Sequence, residues 1–361
     1  PERPGSTGVM RVLVPGGAGY IGSHAALALL ERGHGVTVID RMMPGRASAA
    51  ALETLQRLDR AGTLRIIKGD INDAPSMDAA MDPGTSGTPG GVDAVMHFAG
   101  VAYVGESNRD PLLYHRINGT GTLSVLEACE RHAVGRLVFS SSCVTYGDPG
   151  PSHLPVVESC PQVPMNPYGW SKLAAERMVR DFSGAGRIPG FSAAVLRYFN
   201  VAGCDRAGRL GHNHDPETRV IPLCLRAAMG IAEPGKAAPM FTVFGDDYPA
   251  PGSPDGTAVR DYIHVDDLVR AHIAVLEALR PGDLRTYNLG TGAGVSVQRI
   301  IESVERVTGK RVPHETGPRR AGDPASLYCS PAAIAKDLGW RAEVTDLDEI
   351  VRSSWAWMKR A

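Results

Sequence analysis

The stretch from Arg11 to His24 reads RVLVPGGAGYIGSH. A short apolar run passes directly into Gly16, Gly17, Gly19 and Gly22 and then into a helical pattern from Ser23 to Arg32, which predicts a strand turning tightly into a helix. Glycines at this spacing let the backbone turn and come close to a pyrophosphate, whose charge then rests at the positive end of the helix. Asp40 closes the next apolar run, VTVID, about twenty residues on. A carboxylate there accepts hydrogen bonds from a ribose 2′-hydroxyl and repels a 2′-phosphate, which selects NAD over NADP. Arg41 is the opposing feature, because a neighbouring guanidinium accommodates that phosphate. Asp70, at the end of LRIIKGD, is placed to reach the adenine edge.

Outward from this motif the first half alternates short apolar runs with amphipathic ones. RVLVPG, VTVID, LRIIKGD, DAVMHFAG and RLVFSSS are separated by helical patterns at Ala47 to Arg60 and Thr120 to His132, and a helix over Tyr168 to Phe182 leads to a strand at Ser192 to Arg197. Continuous apolar strands between helices imply an α/β fold, a Rossmann-type doubly wound parallel sheet with helices on both faces. The alternation breaks near Asn200. We therefore expect a nucleotide-binding domain over residues 1–200 and a smaller α/β substrate-binding lobe over residues 201–361, with one helix returning to the first. The run DPGTSGTPGG, residues 82–91, reads as an exposed loop.

Composition excludes several classes. The 361 residues are 43% hydrophobic and 21% charged with a formal net charge of −1, as in a folded globular protein. Balanced Lys+Arg 38 and Asp+Glu 39 argue against nucleic acid as partner, which usually demands a basic excess. The six cysteines show neither a CxxC pair nor zinc-finger spacing and read as reduced thiols. No run of eighteen apolar residues occurs, so no membrane span is expected. These features point to the cytoplasm, although the chain opens on Pro1 and not Met, which leaves room for an upstream targeting segment.

Ser142, ending VFSSS, together with Tyr168 and Lys172, carries the chemistry. Residues four apart share a helix face, so an ammonium sits beneath a phenol in one pocket. A free tyrosine, of pKa about 10, is roughly 0.1% ionised at neutral pH and makes a poor base. A cation about 5 Å away in an effective dielectric near 20 contributes on the order of 3 kcal/mol, or about two pKa units. Ser142 then relays the proton between a substrate hydroxyl and the tyrosine.

Over nearly its whole length the chain resembles the extended short-chain dehydrogenases, and among them the UDP-galactose 4-epimerases. The strings GGAGYIGSH, HFAG, VGES, NGTGTLSVLEAC, FSSSCVTYGDP, NPYGWSK, LRYFNVAG, HDPET, FGDDYP, VRDYIHVDDL, YNLGTG and PRRAGD carry the likeness. It implies Ser142, Tyr168 and Lys172 as catalytic residues. It implies further that Gly16, Gly19, Tyr20, Ile21, Gly22, Asp40, Asp70, Ile71, Phe98, Ala99, Gly100, Asn118, Ser140 and Tyr198 line NAD. Asn200, Val220, Phe244, Arg260, Arg320, Asp323 and Leu327 would bind the UDP-sugar, and the two arginine forks suit a diphosphate. A homodimer through paired helices is implied as well.

Some positions depart from that pattern. Galactose epimerases commonly carry a lysine shortly after HFAG, where Ala102 stands here, and CVTYG, PQVPMNPYG and the Gly-Arg-Leu-Gly string look more like plant-type UDP-arabinose 4-epimerases. The sugar is therefore a hexose or a pentose. Cys143, Val144 and Thr145 offer no carboxylate after the strand-end serine, which argues against a dehydratase or decarboxylase. Leu327 falls where the sugar pocket is tuned, and Trp170 is unusual within NPYGWSK. No metal is expected at His212, His214 and Asp215, whose loop matches a substrate flap. The rival from another class is a non-catalytic NAD-binding sensor on the same fold, against which the joint presence of Ser142, Tyr168 and Lys172 counts.

Overall fold

The computed structural model describes residues 8–82, 91–232, 239–249, 253–320 and 322–360. Most of the 82–91 run lies outside them. At its centre is a seven-stranded sheet in which every pairing is parallel. Its strands in chain order are β1 (Arg11–Pro15), β2 (Gly35–Asp40), β3 (Leu64–Lys68), β4 (Ala94–His97), β5 (Arg136–Ser142) and β6 (Ser192–Tyr198), joined by a seventh, Leu284–Leu289. The spatial order is Leu284–Leu289, β6, β5, β4, β1, β2, β3. The chain thus winds outward in one direction from β1, returns, and winds the other way from β4, the doubly wound arrangement expected.

Strands covered on both faces must be apolar throughout, and Val12, Leu13 and Val14 of β1 are fully buried. One face packs against the helix α1 (Tyr20–Glu31) and the helices Val265–Ala278 and Ala332–Leu338. The other packs against Met77, Val125, Leu126, Ala175 and Val179, which belong to the helices Ala74–Met81, Gly121–Arg131 and Pro167–Gly184. Pro167–Gly184 starts where Asn166 Oδ1 accepts a hydrogen bond from the Gly169 amide, with proline in the first turn. That cap sets the phase that turns Tyr168 and Lys172 inward.

The chain crosses the division expected near Asn200 more than once. Beyond it, the helix Val265–Ala278, the strand Leu284–Leu289 and the helix Ala332–Leu338 all return to the sheet. The strand escaped the sequence pattern because only its last three residues, Tyr287, Asn288 and Leu289, are buried. The other core beyond 200 joins Ile221, Leu225, Phe241, Val243, Ile300, Val304, Ile350 and Val351.

The glycine turn tolerates no side chain at its tightest points. A Cβ on Gly22 would stand 2.2 Å from the Gly16 carbonyl oxygen, and one on Gly16, at φ +82°, would stand 2.5 Å from the Ala99 amide nitrogen. Gly22→Ala must displace backbone, so we expect a stability loss of about 2–4 kcal/mol. Thermal unfolding of the variant beside the parent checks this, and an unchanged midpoint would refute it.

Candidate active site

Parallel strands place their carboxyl ends along one edge, and ligands of such sheets bind outside that edge where the winding reverses. The register brings Asp40 beside Lys68 and Ser142 beside Tyr198 along this edge. A cleft runs across it, from Gly16, Gly19, Tyr20, Ile21 and Gly22 at one end to Tyr168, Lys172 and Tyr198 at the other. Asp40, Asp70, Ile71, Phe98, Ala99 and Gly100 line its walls.

At the glycine end, no side chain caps the first turn of α1 and no acidic residue stands in it. The amides there are left for an anion, and the helix dipole favours one. Around Gly19 a Cβ would find only the Gly16 and Arg46 carbonyl oxygens within reach, at 3.2 and 4.0 Å, so a ligand's phosphates can approach the backbone there. Asp40 accepts hydrogen bonds from the Met42 amide at 2.8 Å and the Ala18 amide at 3.1 Å, which ties its carboxylate to the glycine turn. Burial raises its pKa while those amides oppose the rise. Arg41 forms an ion pair with Asp70 at 3.3 Å, so the adenine-side aspartate and the arginine that could compete for a 2′-phosphate occupy one another.

At the chemical end, Lys172 Nζ donates to the Ser140 carbonyl at 2.9 Å and lies 5.1 Å from the Phe139 ring centroid. Gly100 makes room for this ammonium, since a Cβ there would lie 3.3 Å from it. Tyr168 packs edge-on against Tyr114, with ring centroids 6.0 Å apart, and its phenol is close enough to Ser142 for the serine hydroxyl to act on it. Burial pushes Tyr168 up to about 12, with Ser142 opposing. The lysine-lowered phenol expected from spacing is not what this arrangement gives. The ammonium is turned to the Ser140 carbonyl, and the phenol lies among Val101, Tyr114 and Ile117, where its anion is poorly solvated. Burial likewise pushes Lys172 down to about 8, with Glu176 opposing.

Two residues expected to line the cofactor stand behind the wall instead. Asn118 Oδ1 accepts from the Val101 amide at 2.9 Å, and its Nδ2 donates to the Val101 carbonyl at 3.0 Å and to Ser171 Oγ at 2.9 Å. It pins the strand-end segment to the catalytic helix. Ser140 is wholly buried and offers its carbonyl to Lys172.

Among the residues expected for the substrate, Arg260 pairs with Asp323 and stands opposite Leu327 in the strand register, while the Arg320 guanidinium lies 3.8 Å from the centroid of the Phe244 ring. Leu327 packs in one cluster with Cys143, the residue after Ser142. Arg260 is close enough to act on the Cys143 thiol, which joins this group to the catalytic strand end. Asn200 lies in a short strand beside Tyr262, and Val220 opens the helix Val220–Ala228. Neither lines the main cleft.

Sequence reasoning missed Arg46, Tyr103 and Arg219 as cleft residues, and read His214 only as part of a flap. Arg46 grips both oxygens of Glu106, at 2.5 and 2.6 Å, and lies over the Tyr103 ring at 4.7 Å. The segment around residues 205–219 straps across the cleft, held by the Asp215 amide donating to the Gly45 carbonyl at 2.9 Å. His212 and His214 stack at 4.3 Å, and His212 packs edge-on to Tyr20 at 4.8 Å. Arg219 meets His212 Nε2, and because arginine only donates, that nitrogen accepts and Nδ1–H donates to Glu217 at 2.8 Å. The sequence marked this loop as a flap, but only the tertiary contacts show where it is anchored, Asp215 to Gly45 some 170 residues away.

The chain matches the NAD dependent epimerase/dehydratase family over residues 12–290, and it belongs to that family. Its cofactor is NAD, which the open glycine turn and the half-buried carboxylate of Asp40 fit. Probable UDP-arabinose 4-epimerase 3 of Arabidopsis thaliana is 44% identical over 357 residues, 98% of this chain and 82% of that protein. The UDP-glucose 4-epimerase of Corynebacterium glutamicum is 42% identical over 347 residues, 96% of this chain and 95% of that one. The crystal structure of UDP-glucose 4-epimerase from Stenotrophomonas maltophila, with bound NAD and formylated UDP-arabinopyranose, superposes with a TM-score of 0.86 at 38% identity, covering 97% of this chain and 98% of that one.

Asp40→Asn keeps the shape and removes the charge. Hydrogen bonds to charged groups contribute about 1.5–3 kcal/mol, so NAD should bind roughly 10- to 100-fold more weakly. Titration of stripped protein with NAD checks this, and parental affinity would sink the assignment of Asp40.

Proposed function

We propose that the chain is a UDP-sugar 4-epimerase that interconverts UDP-glucose and UDP-galactose through a transient 4-keto sugar. The observation that carries this reading is the meeting of Tyr168 and Lys172, with Ser142 close to the phenol, at one end of a cleft whose other end is the glycine turn. When bound, NAD supplies the reversible oxidation of sugar carbon-4, and its positive nicotinamide favours a nearby phenolate. Tyr168 oxygen takes the proton of the 4-hydroxyl and later returns it, with the Ser142 hydroxyl bridging the two oxygens. Burial pushes the Tyr168 phenol up to about 12, so by itself it stays protonated at neutral pH. Lys172 keeps a positive charge on the same helix face, and the walls exclude water.

The UDP half is held by the lobe drawn from residues 201–361, through Asn200 at its border and Val220, Phe244, Arg260, Arg320, Asp323 and Leu327. Anchoring by the nucleotide leaves the sugar free to turn about its phosphate linkage, so that either face of carbon-4 meets Tyr168. A pentose pair, UDP-arabinose and UDP-xylose, is the second reading. Ala102 in the cleft wall and the Arabidopsis relative favour it.

Purified protein given UDP-glucose, UDP-galactose, UDP-xylose and UDP-arabinose without added NAD should equilibrate one C4-epimer pair. A strict requirement for stoichiometric external nicotinamide would overturn the reading. Tyr168→Phe should lower turnover by about 10²- to 10⁴-fold while NAD stays bound, as quantified by nucleotide release on denaturation.

We also propose a cytoplasmic homodimer. All six cysteines are unpaired, and no helix among the described residues is long and apolar enough to cross a membrane. Trp170, 50% exposed, and Leu123, 42% exposed, present apolar surface on the helices Pro167–Gly184 and Gly121–Arg131. Sedimentation should show a dimer that Trp170→Glu converts to monomer; a parental monomer would refute it.

A further inference from the structure

Behind the catalytic strand end lies a charged cluster that no step above uses. Glu176 follows Lys172 by one turn and Tyr168 by two, so all three share a helix face. Its side chain is 1% exposed, and that of its partner Arg197, from the neighbouring strand β6, is 2% exposed. Arg197 Nη2 donates to Glu176 Oε2 at 2.7 Å and its Nε to Oε1 at 3.0 Å, a two-pronged grip. Ser141 Oγ donates to Glu176 Oε1 at 2.5 Å, and Gln162 Nε2 to Oε2 at 3.1 Å. Every lone-pair direction of the carboxylate is thereby engaged.

A buried ion pair is weak evidence for stability, because well-packed apolar residues of similar volume often do as well or better. Its position suggests another use. Two successive residues of β5 hold two residues spaced by four on the helix: the Ser140 carbonyl takes the Lys172 ammonium and the Ser141 hydroxyl donates to Glu176, with Ser142 next in the strand and close to Tyr168. The helix and the strand are thus latched at two points directly behind the Tyr168–Ser142 pair.

We propose that Glu176, fixed by Arg197 and Ser141, is a positioning residue for the proton relay: it keeps Lys172 cationic against the Ser140 carbonyl and holds Tyr168 in register with Ser142. This rests on the epimerase reading above. The groups facing Lys172 are Tyr168 and Glu176 on its own helix, His97 on β4, Tyr198 on β6, and His272, which contacts the Ser140 hydroxyl from the helix Val265–Ala278, while Arg197 of β6 is taken up by Glu176, Tyr146 and Gln162. Burial keeps His97 and His272 neutral and both phenols protonated. Glu176 is then the one anion of this group at neutral pH, and it opposes the burial that drives Lys172 down to about 8. Removing a neighbouring negative charge lowers an ammonium's pKa further, so the lysine loses its proton at lower pH.

The test is turnover against pH, from 6 to 10, for the parent, Glu176→Gln, and the double variant Glu176→Gln with Arg197→Met. The double variant removes Glu176 and Arg197 together and so covers the case in which the single variant, with Arg197 left unpaired, does not fold. Bound NAD and the thermal midpoint are measured on each. We expect the alkaline limb of turnover to move to lower pH by about one unit, so that activity at pH 8.5 relative to pH 7 falls roughly 4-fold, with NAD content kept. Glu176→Asp, which keeps the charge, should restore most of the parental profile. An NAD-loaded variant whose alkaline limb coincides with the parent's overturns the proposal. A parent that epimerises no UDP-sugar overturns the underlying reading instead.

Discussion

Backbone meets backbone at the head of α1, and the remainder of the site is built around that approach. Gly16 lies against the Phe98–Ala99 peptide and Gly22 against the Gly16 carbonyl, at separations no Cβ could occupy. Because the turn is this tight, β1 delivers α1 straight onto the sheet, its first-turn amides stay open to phosphate, and the HFAG strand end forms the adjoining wall. Asp40 reinforces the same point by accepting the Ala18 amide, so the carboxylate that ends β2 also braces the glycine turn.

Burial is the dominant electrostatic force at the other end. It pushes the Tyr168 phenol up and the Lys172 ammonium down, each toward its neutral form, which is the opposite of what an active base and its supporting cation need. The groups that oppose it are short-range and named: Ser142 on the phenol, Glu176 on the ammonium.

Long-range packing closes the cleft. Gly45, near the end of β2, receives the Asp215 amide, and Tyr20 donates to the Gly203 carbonyl at 2.5 Å while its ring packs against His212. Residues from the second half of the chain thus wall in the nucleotide turn of the first. The same half also completes the sheet, through Leu284–Leu289 beside β6, so the lobes share a core and a cleft.

Much of this was legible in the order of residues. Parallel strands buried on both faces must be apolar, and glycine alone fits a turn with these contacts, so RVLVPGGAGYIGSH announced both sheet and nucleotide site. The i, i+4 spacing likewise put Tyr168 and Lys172 on one face. What tertiary structure alone decided are matters of distance between remote segments. It turned the lysine toward the Ser140 carbonyl, placed Asn118 behind the wall as a clamp, paired Arg41 with Asp70, and brought Arg46, His214 and Arg219 into the cleft. Local patterns report which face of an element is buried; they carry no record of which distant side chain that face will meet, nor of how far burial shifts a proton.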